Sequence, residues 1–359
     1  MAASDVDYNG QHAGYTADPQ EVINYVDAHD DETLFDAIQL KAPASASVAD
    51  RVRMQDLGMS LVTLGQGIPF VHAGSDMLRS KSLDRNSYNS GDWFNRLDFT
   101  YSSDNFGVGL PPARDNQSNW TIMAPLLADP ALKPGPDDIQ DAVVHFREAL
   151  SIRRSSKLFR LRTADDVNER LKFHNTGPGQ LPGLIVMQLS DEDGSVDRRH
   201  DQIVVLVNAN RVAQSFTLGD FAGRRFLLHP VLRSSHDPVV RAASFDPGSG
   251  AFSVPARTAA VFWTLRPLRD RIRLLEADVD GLVGRGALNA GQGHGLEAKL
   301  EAALGQVAHG SNGTAIHQLR AFVNQARAFA NAGILAPEDA ASLSSEAQSI
   351  IDQASAEEG

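Results

Sequence analysis

The 359-residue sequence contains no cysteine. Disulfides, thiolate nucleophiles and cysteine-bound zinc are therefore excluded. It is also poor in positive charge, with 33 Lys and Arg against 45 Asp and Glu and a net charge of −12. A surface of that sign repels nucleic acid and anionic lipid, so neither is expected as a partner. No apolar run is long enough to span a bilayer. The opening "MAASDVDYNGQHAGYTADPQ" has neither the basic flank nor the apolar centre of a secretion signal. What remains is the composition of a water-soluble globular chain, 42% hydrophobic and 22% charged, with length for two or three domains.

The segment "VINYVDAHDDETLFD" (residues 22–36) poses the first question. Its apolar start reads as a short buried strand, rich in β-branched and aromatic residues. His29, Asp30, Asp31 and Glu32 stand where that strand emerges. Adjacent carboxylates repel one another, so the cluster is a solvated turn, a metal site or part of a catalytic centre. On spacing alone, the turn is the default reading and no EF-hand pattern is present.

The chain passes through three regimes. Up to about residue 160, apolar segments alternate with polar loops. Residues 48–65 carry a helical stripe that Asp50 or Ser47 caps, and "IPFVHAG" (68–74) is a second strand. Strand, helix, strand implies a parallel βαβ unit. A long loop follows, whose Tyr88, Trp93, Phe94 and Trp120 argue against disorder. Residues 137–155 then read as an amphipathic helix. From about 161 to 265 the period becomes two, in "GLIVMQLSD", "QIVVLVNAN", "QSFTLGDF", "RRFLLHPVL" and "AFSVPARTAAVFWTL", which predicts an antiparallel β-sandwich. From 266 onward, Ala-rich stripes such as Ile272, Leu275, Val279 and Leu282 predict a small α-helical bundle of about four helices, with Pro337 opening the last. One βαβ unit needs covering on both faces, so the first regime reads as the end of a larger α/β domain.

Two motifs carry a resemblance. "HDDETL" after the first strand, and "GSDMLRSKSLDRNSYNSGDWFNR" from Gly74 to Arg96, resemble segments of pullulanase-type α-1,6-glucosidases of the α-amylase superfamily. The match runs over residues 15–265 and leaves the helical tail outside. That tail is similar, in composition only, to small helical modules on secreted bacterial hydrolases. The resemblance implies a multi-domain chain: residues 1–160 as the C-terminal part of a (β/α)8 barrel with strands seven and eight, 161–265 as the β-sandwich, and 266–359 as the helical module. It also implies a starch-debranching hydrolase cleaving α-1,6 linkages of pullulan, starch or glycogen dextrins by a retaining mechanism. Its partner would be an α-glucan. The family is often secreted by bacteria, needs no cofactor and leaves room for a structural calcium ion.

In such barrels the strand C-termini form the active face. By the resemblance, His29 hydrogen-bonds the sugar beside the scissile bond and Asp30 is the carboxylate that stabilises the transition state. Asp92 and Arg96 grip the next sugar, with Trp93 and Asn95 beside them. The nucleophile and general acid come from earlier strands of the family barrel, so this chain alone is expected to be inactive. A non-catalytic carbohydrate-binding or accessory module is the alternative. His72 reads as a packed structural residue, Arg153 and Arg154 as favourable charges at their own helix end. Trp93 reads equally as a sugar platform or a buried anchor. The family carries Asn where this chain has Asp31; facing the site, its extra charge would raise the pKa of one carboxylate of the pair.

Overall fold

The computed structural model describes residues 5–14 and 16–358. Tyr15, where the resemblance begins, and the outermost ends of the first and last expected domains lie outside the described residues. The chain divides into two compact units, Met1–Asp191 with Gln202–Thr264, and Glu192–Asp201 with Leu265–Gly359.

The first unit opens with a hairpin of β1 (Asp7–Tyr8) and β2 (Gln11–His12). It continues through β3 (Ile23–Asn24), α1 (Leu34–Lys41), α2 (Val48–Leu64) and β4 (Ile68–Pro69). β3 and β4 pair in parallel, with the amides of Ile68 and Phe70 donating to the carbonyls of Val22 and Asn24, both at 2.8 Å. Of the two caps offered for α2, Ser47 is the one used: its Oγ accepts from the Asp50 amide at 3.1 Å. Arg51 is buried and donates to the carbonyls of Ile38, Gln39, Pro43 and Ala46, which closes the C-terminal end of α1.

The long loop is built rather than structureless. It carries α3 (Asp92–Asn95) and α4 (Ala113–Asn116) and leads into α5 (Trp120–Ala128) and α6 (Pro136–Ser155). Met77, Leu78, Leu83 and Phe106 of the loop share one core with Phe35, Val52, Ile139 and Val143. Arg153 departs from its expected role. Its side chain is buried and serves the neighbouring helix end, donating to the carbonyls of Thr63 (2.8 Å), Gly65 (2.7 Å) and Gly67 (2.8 Å) where α2 turns into β4.

After α7 (Ala164–Arg170) come β5 (Leu171–Phe173), β6 (Leu184–Ser190), β7 (Gln202–Asn208), β8 (Gln214–Thr217), β9 (Leu227–Leu228), α8 (Pro230–Arg233), β10 (Ser244–Asp246), β11 (Ala251–Val254) and β12 (Thr258–Trp263). They form two antiparallel sheets, β5-β6-β7-β12-β9 and β10-β11-β8. Val204, Leu206 and Phe262 of one sheet and Phe252 and Val254 of the other share a core, in which the Phe252 and Phe262 rings meet edge to face at 5.2 Å. The strand read across residues 224–232 shrinks to β9. Pro230 lacks an amide for a ladder and instead starts α8, with His229 Nδ1 accepting from the Val231 amide.

The second unit is built on α9 (Leu268–Gly284), α10 (Ala290–Ala308), α11 (Asn312–Asn331) and α12 (Pro337–Glu358), whose stripes meet in one core of Leu275, Leu296, Leu319, Leu343 and their neighbours. It also takes in residues 192–201, which lie inside the 161–265 range expected for the β-sandwich. There Arg198 forms a two-pronged ion pair with Asp278 on α9. Among the described residues, no helix is long and apolar enough to cross a membrane.

One expectation fails clearly. The apolar letters of residues 22–26 predict a buried strand, yet Ile23 is 56% and Phe70 53% exposed, and Val22, Tyr25, Val26 and Ile68 are exposed with them. A parallel pair is normally covered on both faces, and each of these partly exposed side chains forgoes roughly half of the ~1.5–3 kcal/mol that full burial provides.

Candidate active site

The turn after β3 and the loop after β4 enclose a cavity of about 280 Å³. Its lining brings together His29, Asp30 and Asn95 with His72, Arg79, Lys81, Asn86, Ser87 and Tyr88. The juxtaposition follows from the parallel pairing, which sets the ends of β3 and β4 side by side and their loops on one edge.

His29 and Asp30 stand at the rim, their side chains 87% and 82% exposed, with Nδ1 and Oδ1 3.1 Å apart. So open a pair contributes at most about 1 kcal/mol. Below the rim, Asp27 is buried; it accepts from the Ser75 hydroxyl at 2.8 and 3.0 Å and from the Leu34 amide at 3.0 Å. His72 Nδ1 lies 3.5 Å from Asp27, and its Nε2 lies 3.0 Å from Arg79 Nη1. A guanidinium only donates, so Nε2 accepts and the ring proton belongs on Nδ1, facing Asp27. His72 thus lines the cavity between a carboxylate and a cation, a position sequence reasoning missed.

Lys81 is buried, and its ammonium donates to the carbonyls of His29 (3.2 Å) and Asp31. Burial pushes its pKa down, while nearby Asp36 and Asp84 oppose the shift. Asp36 is itself buried and its pKa is pushed up to about 6, against hydrogen bonds from Ser80, the Lys81 amide and Thr33. Asp31 turns away from the cavity. Its carboxylate lies 3.9 Å from Arg85, whose Nε is 3.4 Å from Glu32, and its backbone is left-handed at φ +55°. Asn and Asp are the non-glycine residues that tolerate this region best, so backbone conformation accounts for either at this position. The expected charge effect at the sugar site loses its geometric basis.

The remaining predicted residues lie on or beside α3. Asn95 spends its amide on the loop, accepting from Ser87 Oγ at 2.8 Å and donating to the carbonyls of Ser87 (2.8 Å) and Gly91 (3.1 Å). Trp93 is not the buried anchor: its indole N–H is tied to the Val108 carbonyl at 3.0 Å, but the side chain is 63% exposed. Asp92 opens α3 and Arg96 follows it, 3.8 Å from Asp98; neither lines the cavity. Among the described residues, no group of three His, Cys, Asp or Glu is disposed to hold a metal ion.

Residues 101–264 match the family of alpha-1,6-glucosidases, pullulanase-type, C-terminal. This stretch belongs to that family. Residues 272–352, within the second unit, match the FIMAH domain family. The chain is 50% identical over 254 residues to chloroplastic pullulanase 1 of Arabidopsis thaliana, covering 69% of this chain and 26% of that protein. Against the pullulanase of Klebsiella pneumoniae it is 40% identical over 261 residues, 72% of this chain and 24% of the relative. It therefore spans about a quarter of the length of these pullulanases. The apo crystal structure of K. pneumoniae pullulanase superposes with a TM-score of 0.69 at 40% identity, over 74% of this chain and 28% of that one. The maltotriose complex of K. pneumoniae pullulanase gives 0.70 at 39%, over 74% and 25%. The pullulanase resemblance read from the motifs thus holds, and the portion matched is the C-terminal one.

Proposed function

We propose that this chain supplies one edge of the active site of a starch-debranching α-1,6-glucosidase, together with the domains that follow it. In this reading residues 1–160 end the catalytic (β/α)8 barrel, 161–265 form its β-sandwich and 266–359 a helical module. His29 hydrogen-bonds the sugar at the scissile bond. Asp30 binds that sugar's hydroxyls, contacts that strengthen as an oxocarbenium-like transition state forms. Asp92 and Arg96 hold a sugar farther along, with the open face of Trp93 beside them and Asn95 bracing the loop. The ligand is an α-glucan, in keeping with the maltotriose bound by the related K. pneumoniae enzyme.

The observation carrying this reading is that Asp30 is the one carboxylate among the described residues lining the cavity. A retaining glycosidase needs two, about 5 Å apart. The chain thus grips substrate without attacking it, and the nucleophile and general acid come from elsewhere. Mixed with a dextrin rich in α-1,6 branches, it is expected to release no reducing ends; steady release by the purified chain overturns this. In calorimetry with maltotriose, heat that disappears in Asp30→Ala is expected. Binding unaffected by Asp30→Ala and Trp93→Ala would sink the assignment. The separate match of the helical unit favours a second, additive role for it as an accessory module.

A further inference from the structure

We propose that Lys81 is a positioning residue for Asp30: its ammonium clamps the peptide groups of His29 and Asp31, on either side of Asp30, and so aims the Asp30 carboxylate at the sugar. The proposal rests on the reading of Asp30 as a sugar-binding group.

The turn needs such a clamp. His29 and Asp30 are nearly bare, so no side-chain packing holds them, and their mutual contact is weak in water. Asp31 sits in the left-handed region at φ +55°, which costs a residue with a Cβ some energy even where, as for Asp, it is tolerated. Arg85 grips only the carboxylates of Asp31 and Glu32, from a half-exposed position. Lys81 is different. It is 1% exposed, and two of its three N–H donors point at the carbonyls that flank Asp30.

The base of the clamp is also fixed. The Lys81 amide donates to Asp36 Oδ2 at 2.8 Å, the preceding Ser80 hydroxyl to Asp36 Oδ1 at 2.5 Å, and the Asp36 amide to the Thr33 hydroxyl at 3.1 Å. Lys81 is therefore anchored to the helix that begins two residues beyond the acidic turn. A buried ammonium is costly unless its donors are satisfied, and two of the three meet carbonyls here, with Asp36 and Asp84 near enough to favour the charged form.

The test uses the full chain. An ammonium bonded to a carbonyl polarises that peptide unit, so the amide nitrogens of Asp30 and Glu32, which follow the two clamped carbonyls, report the contact. Lys81→Met keeps the stem and removes the donors. It is expected to shift the Asp30 and Glu32 amide resonances more than any others outside the mutated segment, and to weaken maltotriose binding about tenfold. Lys81→Arg, a cation able to reach the same carbonyls, is expected to restore most of both. Unmoved Asp30 and Glu32 resonances, or a general loss of stability at unchanged affinity, overturn the proposal. Should Lys81→Met fail to fold, the unmodified chain still decides: coupling across the hydrogen bonds from Lys81 Nζ to the carbonyl carbons of His29 and Asp31 is expected, and its absence refutes the clamp. If the unmodified chain shows no maltotriose heat, the sugar reading fails while the resonances still judge the clamp.

Discussion

Replacing Arg153 by Met tests how the edge of the site is held. The guanidinium makes three short contacts with the carbonyls of Thr63, Gly65 and Gly67, at the point where α2 ends and the chain turns into β4. A hydrogen bond from a charged donor contributes about 1.5–3 kcal/mol, so three amount to roughly 4.5–9 kcal/mol before costs. Burying the guanidinium takes back several kcal/mol of that. The charge also interacts with the C-terminal end of the α2 dipole, adding about 0.3–1 kcal/mol. Met preserves the packing of the stem but leaves the carbonyls without a donor. The net loss expected is about 3 kcal/mol, confined to the first unit. The assay is convenient because the three tryptophans, Trp93, Trp120 and Trp263, all lie in that unit. Their fluorescence during urea unfolding reads it alone, while far-ultraviolet dichroism follows the helical unit as well. Arg153→Lys is expected to recover only a minor part, since one ammonium cannot reproduce the fork. A loss below about 1 kcal/mol in Arg153→Met would refute the reasoning, because it would mean that water satisfies these carbonyls equally well.

Two further outcomes are expected with the same fluorescence readout. Asp104 is buried and its pKa is pushed up to about 7, chiefly by desolvation. The folded state then holds its proton more tightly than the unfolded one, so stability from this group is greatest at acid pH and falls as pH rises from about 4 to 7. Asp104→Asn should flatten that part of the profile, and an unchanged slope would exclude Asp104 as its source. Gly67 has φ +89°, and a Cβ there would lie 2.8 Å from the Val22 carbonyl that accepts the Ile68 amide of the parallel pair. Gly67→Ala should cost about 2–3 kcal/mol, and a neutral effect would show that the β3–β4 register is not needed for stability.

Much of this protein was legible as one-dimensional pattern. The helical stripes of the second unit, the Ser47 cap and the apolar runs that became β6, β7, β11 and β12 are local signals, although β7 and β12 are buried at every residue and not at alternate ones. They depend on periodicity and backbone chemistry within a few residues. The motifs "HDDETL" and Gly74 to Arg96 pointed to the family through their letters alone. Such a match gives residue types without contacts, so it offered His29 and Asp30 but passed over Lys81 and His72. Whether a lysine is a solvated tail or a buried clamp depends on what folds over it, fifty residues away in the chain. Arg153 shows the same limit: nothing near it in sequence says that its guanidinium closes another helix.

The sequence by itself determined α2, α6, the four helices of the second unit and the main apolar strands, and pointed to the family, because those follow from local propensity and motif; α1, α5, α7 and α8 left no such signal. Only the tertiary structure decided which groups share the cavity. It placed Asn95 in the bracing of its own loop, turned Asp31 toward Arg85, and left the apolar side chains of β3 and β4 uncovered. These are outcomes of long-range packing, set by the neighbours a side chain meets in space.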